Sequence, residues 1–507
     1  MTLPRPWSLD RASVGRLAIA WFALALAVRS IGIGGRWLWF DELLSASFAA
    51  HGPWVALLSA LRFDQHPPLY YMQLSVWALA GRSDVWLMLN SAAWSAAAVA
   101  LLFVAARRVF DASAARWAAW LLLASPAALA FSDQVRMYSM LSAAIIWAWL
   151  AQVEWCLAPS PGWRRSAAVI ASQLLVIYSH SAGLVMISGN VILGAGLMAA
   201  RRDGPRLARW LRVEALAGLG ALPAVAIAVF RDVSHTFPAN PWNALMTLRF
   251  LVAGEGGSLA VEFALAGAAF AAIVWVCQRR DEQSWLVGAP LFVPLIIAGI
   301  ASYAFKPIWL YRTFVTVIPF LCLAVAVALQ RWWEPRDGTT RWRRAVVLVF
   351  VAAWSATGFA SQVTRPKGDG FKAAASALAQ SAGPDAIVLV DGDFVYWSLM
   401  WYLGGPDWGR PQQAHVTTPQ WSRLLSRLPA GLTERLGFGD RDRALNVDGV
   451  RVGLWDRSHP RPIPAATAWI VRLGSVPPLE VPGRVRRSSR RYDNLLVEEW
   501  AAPPARE

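Results

Sequence analysis

The fold is decided first by the stretch at residues 14–42, VGRLAIAWFALALAVRSIGIGGRWLWFDE. Its first part, Val14 to Gly34, is an apolar run about as long as the ~20 residues that a helix needs to cross a bilayer. The run is too long for the core of a cleavable signal peptide and has no A-x-A exit, so we expect a retained first span. Its second part places an acidic pair, Asp41-Glu42, where the chain leaves that span.

Similar apolar runs recur as far as residue 361, and 56% of the 507 residues are hydrophobic. They predict an all-α polytopic membrane domain at residues 1–361 with about eleven transmembrane helices. The expected spans lie at 14–34, 85–106, 115–132, 137–153, 166–180, 183–200, 211–230, 257–277, 284–304, 313–330 and 344–361. The run at 67–81 is only about 15 residues long and begins with Pro-Pro, so we predict that it lies along the interface.

The placement of arginines sets the orientation. Twenty cationic residues fall in the loops assigned to the cytoplasm and eight in the opposite loops, which is the asymmetry of a positive-inside topology. A crossing at 67–81 would move Arg107 and Arg108 outside and spoil this pattern. The same placement accounts for the net charge of +16, so we expect no nucleic-acid partner. The three cysteines lie in or beside apolar runs and indicate neither a disulfide framework nor a metal site.

The tail at residues 362–507 contains no run of crossing length, and an odd number of spans places it outside the cytoplasm. A helix at Gly370–Gln380, a buried strand at Ala386–Val390 and a helix at Tyr396–Leu403 predict a small soluble α/β domain. The tail shows no Gly-rich phosphate loop, no HExxH and no Ser-His-Asp pattern. We therefore expect a lid or an acceptor platform rather than a catalytic domain.

The first external loop, at about 35–84, carries the most chemistry. Apolar residues recur with helical spacing after Trp39 and again after Pro53, which predicts two short helices lying flat at the interface. The loop closes with FDQHPPLYY at 63–71. Placing acidic groups between such helices costs free energy unless the groups are solvated or have a functional role. The Asp41-Glu42 pair also fits a simple cap for the following helix, and both interpretations stay open.

Other outer turns add polar residues on the same side of the membrane. They are DQVRMY at 133–138, YSH at 178–180 and KPIWLYR at 306–312, together with a longer loop, 231–256, that contains His235. Acids, cations and histidines at one membrane depth favour a site that takes a lipid phosphate and a polar substrate. For Lys306 and Arg312, snorkelling to lipid headgroups is the simpler alternative.

At these residues the chain resembles the GT-C superfamily of polytopic glycosyltransferases. The likeness is greatest to the branch with protein O-mannosyltransferases, the lipid A aminoarabinose transferase and RgtA-like enzymes. The matching pieces are Phe40-Asp41-Glu42, HPPLYY at 66–71, DQVRMY at 133–138 and Tyr311-Arg312. The segment from Lys372 to Gly405 is similar to the start of the external domain in RgtA-like proteins. The resemblance covers the transmembrane half well and the last hundred residues poorly.

The resemblance implies an integral membrane glycosyltransferase of a bacterial inner membrane, with its active site and C-terminal domain on the periplasmic side. It would move a sugar, with inversion, from a polyprenyl-phosphate donor to a hydroxyl of a glycan, lipid or protein acceptor. Asp41 and Glu42 would be the catalytic residues, with Asp41 as the base. The donor phosphate would be bound by Arg136, Lys306, Arg312 and Tyr138. Further substrate contacts would come from Asp64, His66, Tyr70, Asp133, Tyr178, His180 and Tyr311.

Some relatives have an acidic residue at the position of Gln65 and a lysine at that of His66. We therefore expect no metal ion and no cofactor, although Asp64, His66 and His235 together could ligate a metal. A transporter or flippase is the main alternative, disfavoured by the scarcity of charges within the spans and the lack of repeated halves. A lipid-linked glycan polymerase or ligase is a further alternative. The sugar and the acceptor are left open.

Overall fold

The structure is a computed structural model of the 507-residue chain. It describes residues 11–230, 240–254, 258–304, 307–333, 340–364, 368, 370–383, 385–406, 445–447, 450–455, 463, 465–477 and 480–503.

Helices dominate these residues. The α-helices are α1 Arg11–Arg29, α2 Phe40–Ala49, α3 Pro53–Phe63, α4 Leu69–Ala78, α5 Asp84–Val109, α6 Ala112–Leu123, α7 Pro126–Ala130, α8 Tyr138–Leu157, α9 Trp163–Ser179, α10 Gly183–Arg201, α11 Gly204–Phe230, α12 Pro241–Ala253, α13 Leu259–Gln278, α14 Glu282–Ala304, α15 Ile318–Trp333, α16 Thr340–Val363, α17 Phe371–Ser381 and α18 Asp393–Leu403. Two 3-10 helices lie at Ile33–Gly35 and Tyr311–Val317. The strands are β1 Ala386–Val390, β2 Leu445–Val447, β3 Val450–Leu454, β4 Thr467–Leu473, β5 Val485–Tyr492 and β6 Leu495–Ala501.

Within the described residues, nine helical stretches are long and apolar enough to cross a bilayer. They include α1, α5, α8, α10, α11, α13, α14, α16 and the stretch Tyr311–Trp333 that contains α15. The chain is a multi-pass membrane protein. Two other predicted spans are shorter: α9 has 17 residues, and the apolar run at 115–132 is divided between α6 and α7. Helix α4 has ten residues, about half of what a crossing needs.

The division between α6 and α7 is stabilised by side chains from two other helices. Proline lacks an N–H and disfavours helical geometry at the preceding residue, so the helix ends before Ser125-Pro126. The carbonyls of Leu122 and Leu123 accept hydrogen bonds from the guanidinium of Arg29, at 3.2 and 3.4 Å, and the indole N–H of Trp354 donates to the carbonyl of Leu121 at 3.0 Å. A break inside hydrocarbon is tolerated when the freed backbone groups are paired, and here the last three carbonyls of α6 have partners.

A polar contact joins three helices inside the bundle. The side-chain amides of Gln152 on α8 and Gln173 on α9 donate to the two carboxylate oxygens of Glu214 on α11, at 3.1 and 3.0 Å. Hydrogen bonds between membrane helices act as polar links because lipid offers no competing partner. Glu214 is a charged residue inside the predicted span at 211–230, and the sequence pattern indicates no role for it.

The described residues fall into two compact units. Unit 1 consists of the described parts of Met1–Ile33, Met88–Val229 and Val233–Arg365. Its largest apolar cluster is formed around α15 and α8, which are the most buried of the membrane-crossing stretches. Helix α15 packs on α6, α13, α14 and α16, and α8 packs on α9 and α10.

Unit 2 consists of Gly34–Leu87 together with the described parts of Phe230–Asp232 and Pro366–Glu507. Helices α2, α3 and α4 pack on one another, and α2 also packs on α18 of the tail. The rings of Phe48 and Phe63 each lie 6.0 Å from that of Trp397, centroid to centroid. The first loop and the start of the tail therefore share one apolar core. The boundary of the predicted soluble domain at residue 362 stays a prediction.

The tail forms a six-stranded sheet of order β2-β3-β1-β4-β6-β5. Strand β1 pairs in parallel with β3 and β4, and the other neighbours are antiparallel. The predicted helices near 370–380 and 396–403 and the strand Ala386–Val390 are confirmed as α17, α18 and β1. Helices α17 and α18 pack against the sheet.

Candidate functional site

The acidic pair lies in the first turn of α2, where Glu42 has a clear structural partner. Glu42 is fully buried, and Arg36 donates to its two carboxylate oxygens at 3.0 and 2.5 Å. The backbone N–H of Trp39 donates to the same carboxylate at 3.0 Å. Glu42 therefore closes the start of the helix, as a residue at the third helical position does in a capping box. Its neighbour Asp41 is half-buried.

Helix α18 holds the residues that precede α2. The backbone N–H of Leu38 donates to the hydroxyl of Tyr402 at 3.0 Å, and that hydroxyl donates to Asp84 at 3.0 Å. Burial raises the pKa of the Tyr402 hydroxyl, and the neighbouring Asp84 carboxylate raises it further. The hydroxyl thus stays protonated and keeps its role as a donor. The tail in this way fixes the chain two residues before α2 begins.

The end of the first loop is organised around Asp64. One of its carboxylate oxygens accepts from the backbone N–H of His66 at 2.8 Å, and the other accepts from the hydroxyl of Tyr71 at 2.7 Å. The ring of Tyr70 lies 5.6 Å from that of Tyr71 and is fully buried. Asp64, His66 and Tyr70 are thus brought together by the turn that starts α4. Substrate contacts for these three residues stay a prediction.

Asp64 and His66 are two of the three residues that together could ligate a metal. Asp64 and His66 lie close together, but His235, the third residue named with them, lies outside the described residues. In the part of the chain that the structure describes, no group of three or more His, Cys, Asp or Glu side chains could hold a metal ion.

A second set of candidates lies in unit 1, on the turn between α7 and α8. Asp133 and Arg136 are both buried, with exposed fractions of 2% and 5%. The turn is closed by hydrogen bonds within itself: Ser139 donates to the carbonyl of Phe131 at 3.0 Å, and the side chain of Gln134 donates to the carbonyl of Ala130 at 2.9 Å. A buried cation held on a tightly bonded turn is suited to binding an anion in a fixed position.

A row of aromatic rings connects this turn to two other turns of unit 1. The ring of Tyr138 lies 6.1 Å from His180 and 4.8 Å from Phe131. Phe131 lies 5.6 Å from Phe250 on α12, which lies 4.5 Å from Tyr311. Three predicted site residues, Tyr138, His180 and Tyr311, therefore belong to one connected cluster. Their side chains come from the turns at the start of α8, the end of α9 and the segment before α15.

The remaining candidates of unit 1 differ in their surroundings. Arg312 is half-buried in the 3-10 helix Tyr311–Val317, directly after the row of rings. The hydroxyl of Tyr178 donates to the carbonyl of Gly220 on α11 at 2.8 Å, so it links two helices. Lys306 lies outside the described residues.

Sequence analysis missed several residues that build these two groups. From the sequence, Arg36 is only one of the eight cations in the loops opposite the cytoplasmic ones, and Tyr402 is only part of the helix predicted at Tyr396–Leu403. Phe131 and Phe250 carry the row of rings but were not site candidates. The sequence does point to Phe131, which comes two residues before Asp133. It also points to Phe250, which lies on the apolar side of an amphipathic segment. No comparable signal connects Tyr402 with Leu38, which are 364 positions apart.

Three solved structures are similar to the chain. ArnT from Cupriavidus metallidurans in the apo state has a TM-score of 0.61 and 16% identity, covering 96% of this chain and 98% of that one. ArnT from the same organism bound to undecaprenyl phosphate has a TM-score of 0.58 and 15% identity, covering 95% and 97%. The oligosaccharyltransferase from Archaeoglobus fulgidus in the apo form has a TM-score of 0.53 and 13% identity, covering 90% and 69%.

No protein-family model and no curated protein matches the chain. At identities this low, a structural likeness establishes the fold and leaves the activity to be tested. The chain therefore has the GT-C fold in its ArnT-like form, over nearly its whole length. The resemblance that the outer motifs indicated is confirmed at the level of the fold.

Proposed function

We propose that the chain transfers a sugar from a polyprenyl-phosphate donor to a hydroxyl of a cell-envelope acceptor. The reaction takes place on the periplasmic face of a bacterial inner membrane, and the acceptor is a lipid, a polysaccharide or a protein. One observation carries the proposal: the fold matches, almost end to end, that of a protein whose crystal structure contains undecaprenyl phosphate. The outer candidates supply the two kinds of group that this chemistry needs, a carboxylate and several cations.

In the proposed mechanism, Asp41 is the general base. It takes the proton of the acceptor hydroxyl while the oxygen forms a bond to the anomeric carbon. The bond between that carbon and the phosphate oxygen breaks on the opposite face, so the configuration inverts and the lipid phosphate leaves with the electron pair. A positioned base typically contributes about 10²–10⁴-fold to the rate. The contact between Glu42 and Arg36 supports this assignment, because it gives Glu42 the capping role and fixes the backbone next to Asp41.

The leaving phosphate gains charge as the bond breaks and needs cations rather than an acid. Arg136, Lys306 and Arg312 are proposed to bind it, with Tyr138 as a hydrogen-bond donor. The burial of Arg136 supports its part of the proposal, since a desolvated guanidinium interacts more strongly with an anion. Asp133, His180 and Tyr311, with Asp64, His66, Tyr70 and Tyr178, are proposed to contact the sugar or the acceptor.

The proposal is tested with purified Asp41→Asn and a panel of radiolabelled undecaprenyl-phosphate hexoses and pentoses. Asparagine keeps the shape of the side chain but cannot accept the hydroxyl proton, so turnover should fall by about 10²-fold or more. Binding of undecaprenyl phosphate should change little.

Asp203→Asn is the matched control for this change. Asp203 accepts from the backbone N–H of Arg206 at the start of α11, and asparagine caps a helix as well as aspartate does. Turnover of Asp203→Asn should remain within a few-fold of wild type. If Asp41→Asn is equally active, Asp41 is not the base.

Arg136 and Arg312 are tested by measuring lipid binding and turnover for each variant. Arg136→Ala and Arg312→Ala should each weaken binding of undecaprenyl phosphate and also lower turnover, because a cation facing the phosphate acts in the ground state and in the transition state. A variant with normal lipid binding and normal turnover would remove that arginine from the donor site.

A further inference from the structure

A groove on the arginine-rich end of unit 1 is not used by the proposed reaction. It has a volume of about 380 Å³ and lies between α1, α5 and the start of α6. Val14, Leu17, Trp21 and Leu24 line it along α1, and this spacing puts them on one side of the helix. Phe103 on α5 forms its floor, with its ring 6.2 Å from that of Trp21. The volume lies within the ~300–1,000 Å³ range that is usual for ligand sites.

One end of the groove is positively charged. Arg107, in the last turn of α5, and Arg116, on α6, line it, and none of the described lining residues is acidic. Two acidic side chains next to the ends of α5 and α6 have partners outside the groove. Glu154 pairs with Arg108 at 2.7 Å, and Asp111 accepts from the backbone of α6 and from Gln330. The groove therefore combines an apolar wall with two cations at one end.

The apolar part of the groove is open to the surrounding membrane. Leu17 and Leu24 are 53% and 45% exposed, and both belong to α1, which is the least buried of the membrane-crossing stretches. In a bilayer, an open apolar groove of this kind is filled by a lipid chain rather than by water. Basic pockets between membrane helices bind anionic headgroups when they lie at the interface.

We propose that this groove binds one anionic glycerophospholipid. An acyl chain lies along Leu17, Trp21 and Leu24, and the headgroup phosphate contacts Arg107 and Arg116. The site is separate from the proposed donor site, because Arg116 lies near the start of α6 whereas the turn with Arg136 follows the end of α6 and α7. The lipid fills the space between α1 and the rest of unit 1 and so stabilises the packing of this helix.

The proposal is tested by native mass spectrometry of the full chain with two lipids of identical acyl chains, phosphatidylglycerol and phosphatidylcholine. Wild type should bind phosphatidylglycerol more tightly. Arg107→Ala/Arg116→Ala should bind it about thirtyfold more weakly, since a basic group near an anionic lipid contributes about 1 kcal/mol each. Arg164→Ala/Arg165→Ala, which removes the same charge at exposed positions outside the groove, should behave like wild type.

A second variant separates the apolar wall from the charges. Leu17→Trp fills the groove without changing the charge and should also weaken phosphatidylglycerol binding by about tenfold or more, as expected when a packed apolar site is blocked. Gel filtration and thermal unfolding establish that each variant is folded. Undiminished phosphatidylglycerol binding by both groove variants would overturn the proposal. Displacement of the lipid by an equal concentration of inorganic phosphate would overturn the part played by the acyl chain.

Discussion

Two adjacent carboxylates at the start of α2 differ in what surrounds them. Glu42 is fully buried and accepts from Arg36 and from the backbone of Trp39, whereas Asp41 is half-buried one position earlier. Successive helical residues point about 100° apart, so one carboxylate can close the helix while the other faces elsewhere. This division of roles is the reason to expect different outcomes from the two amide substitutions.

Glu42→Gln should mainly lower the thermal stability of the protein, with a smaller effect on turnover. It removes the charge of a fully buried residue that pairs with Arg36, whose side chain is only 9% exposed, and breaking a buried pair costs about 3–5 kcal/mol. We therefore expect a clearly lower Tm in detergent for Glu42→Gln than for Asp41→Asn. A thermal unfolding curve for each variant provides the measurement. Equal Tm values for both variants and wild type would show that the pair with Arg36 contributes nothing measurable.

At the residue scale, the sequence identifies the acidic pair but does not show which carboxylate caps the helix and which is the base. Either residue could cap the helix, because both lie in its first turn. The decision depends on Arg36, which reaches Glu42 through the shape of the loop at Ile33–Trp39 rather than through helical spacing. The same limit applies to Asp64, whose contact with Tyr71 depends on the turn between α3 and α4.

At the scale of elements, the interrupted segment α6–α7 depends on two other helices. Arg29 on α1 and Trp354 on α16 pair with the last carbonyls of α6. Gly358 lets α16 approach closely, because a Cβ at this position would collide with the carbonyl oxygen of Ala124. The hydrophobic pattern at 115–132 runs across this break without interruption, so it predicted one helix. Arg29 was not recognised as a partner, since 94 positions separate it from Leu123.

Gly358→Ala should therefore destabilise the protein. The added methyl group meets backbone atoms, which cannot move aside as a flexible side chain can, and overpacking of this kind costs about 1–3 kcal/mol. Gly267→Ala is the control, because a Cβ at Gly267 on α13 meets nothing within 4 Å. That change should be neutral or stabilising by up to about 1 kcal/mol, since alanine favours a helix more than glycine does. Thermal unfolding of both variants measures the difference, and equal effects would contradict a close contact at Gly358.

The sheet of the tail shows which strands a sequence reveals. Strand β1, AIVLV, is buried along its whole length and lies between two parallel partners, which gives the continuous apolar run of a central strand. Strand β5, VRRSSRRY, lies at the edge and is mostly exposed. Charged side chains on an edge strand prevent pairing with other chains, and they also remove the alternation that would have predicted a strand.

At the scale of the whole molecule, the first loop and the tail belong to the same unit. The contact between Leu38 and Tyr402 and the rings around Trp397 connect segments that are far apart in the sequence. Hydropathy divides a chain by contiguous segments, so it separated the loop from the tail. The fold class could be predicted because helices of bilayer length give long apolar runs in the sequence. Contacts between distant segments leave no such pattern.

The orientation of the molecule depends on two crossings that are shorter than the others. Helix α9 has 17 residues, and α6 and α7 together extend from Ala112 to Ala130. At 1.5 Å per residue α9 is about 26 Å long, and α6 and α7 are about 18 and 8 Å long on either side of their break, so each segment comes close to the ~30 Å of the hydrocarbon core. If both cross, the number of spans is eleven and the tail lies on the opposite side from the N-terminus. If only one crosses, the tail lies on the same side as the N-terminus, and the arginine-rich loops that follow the missing crossing move to the opposite side.

A fluorescent reporter that matures only in the cytoplasm should therefore be silent when fused after residue 370. The same reporter fused after Arg202, in the loop between α10 and α11, should be bright, because arginines concentrate in that loop. The two fusions share the first six predicted crossings and differ only in the five that follow. A silent signal after Arg202 would place an error before α10, among α6, α7 and α9. A bright signal after both positions would put the tail in the cytoplasm, and it would remove the proposed periplasmic site along with it.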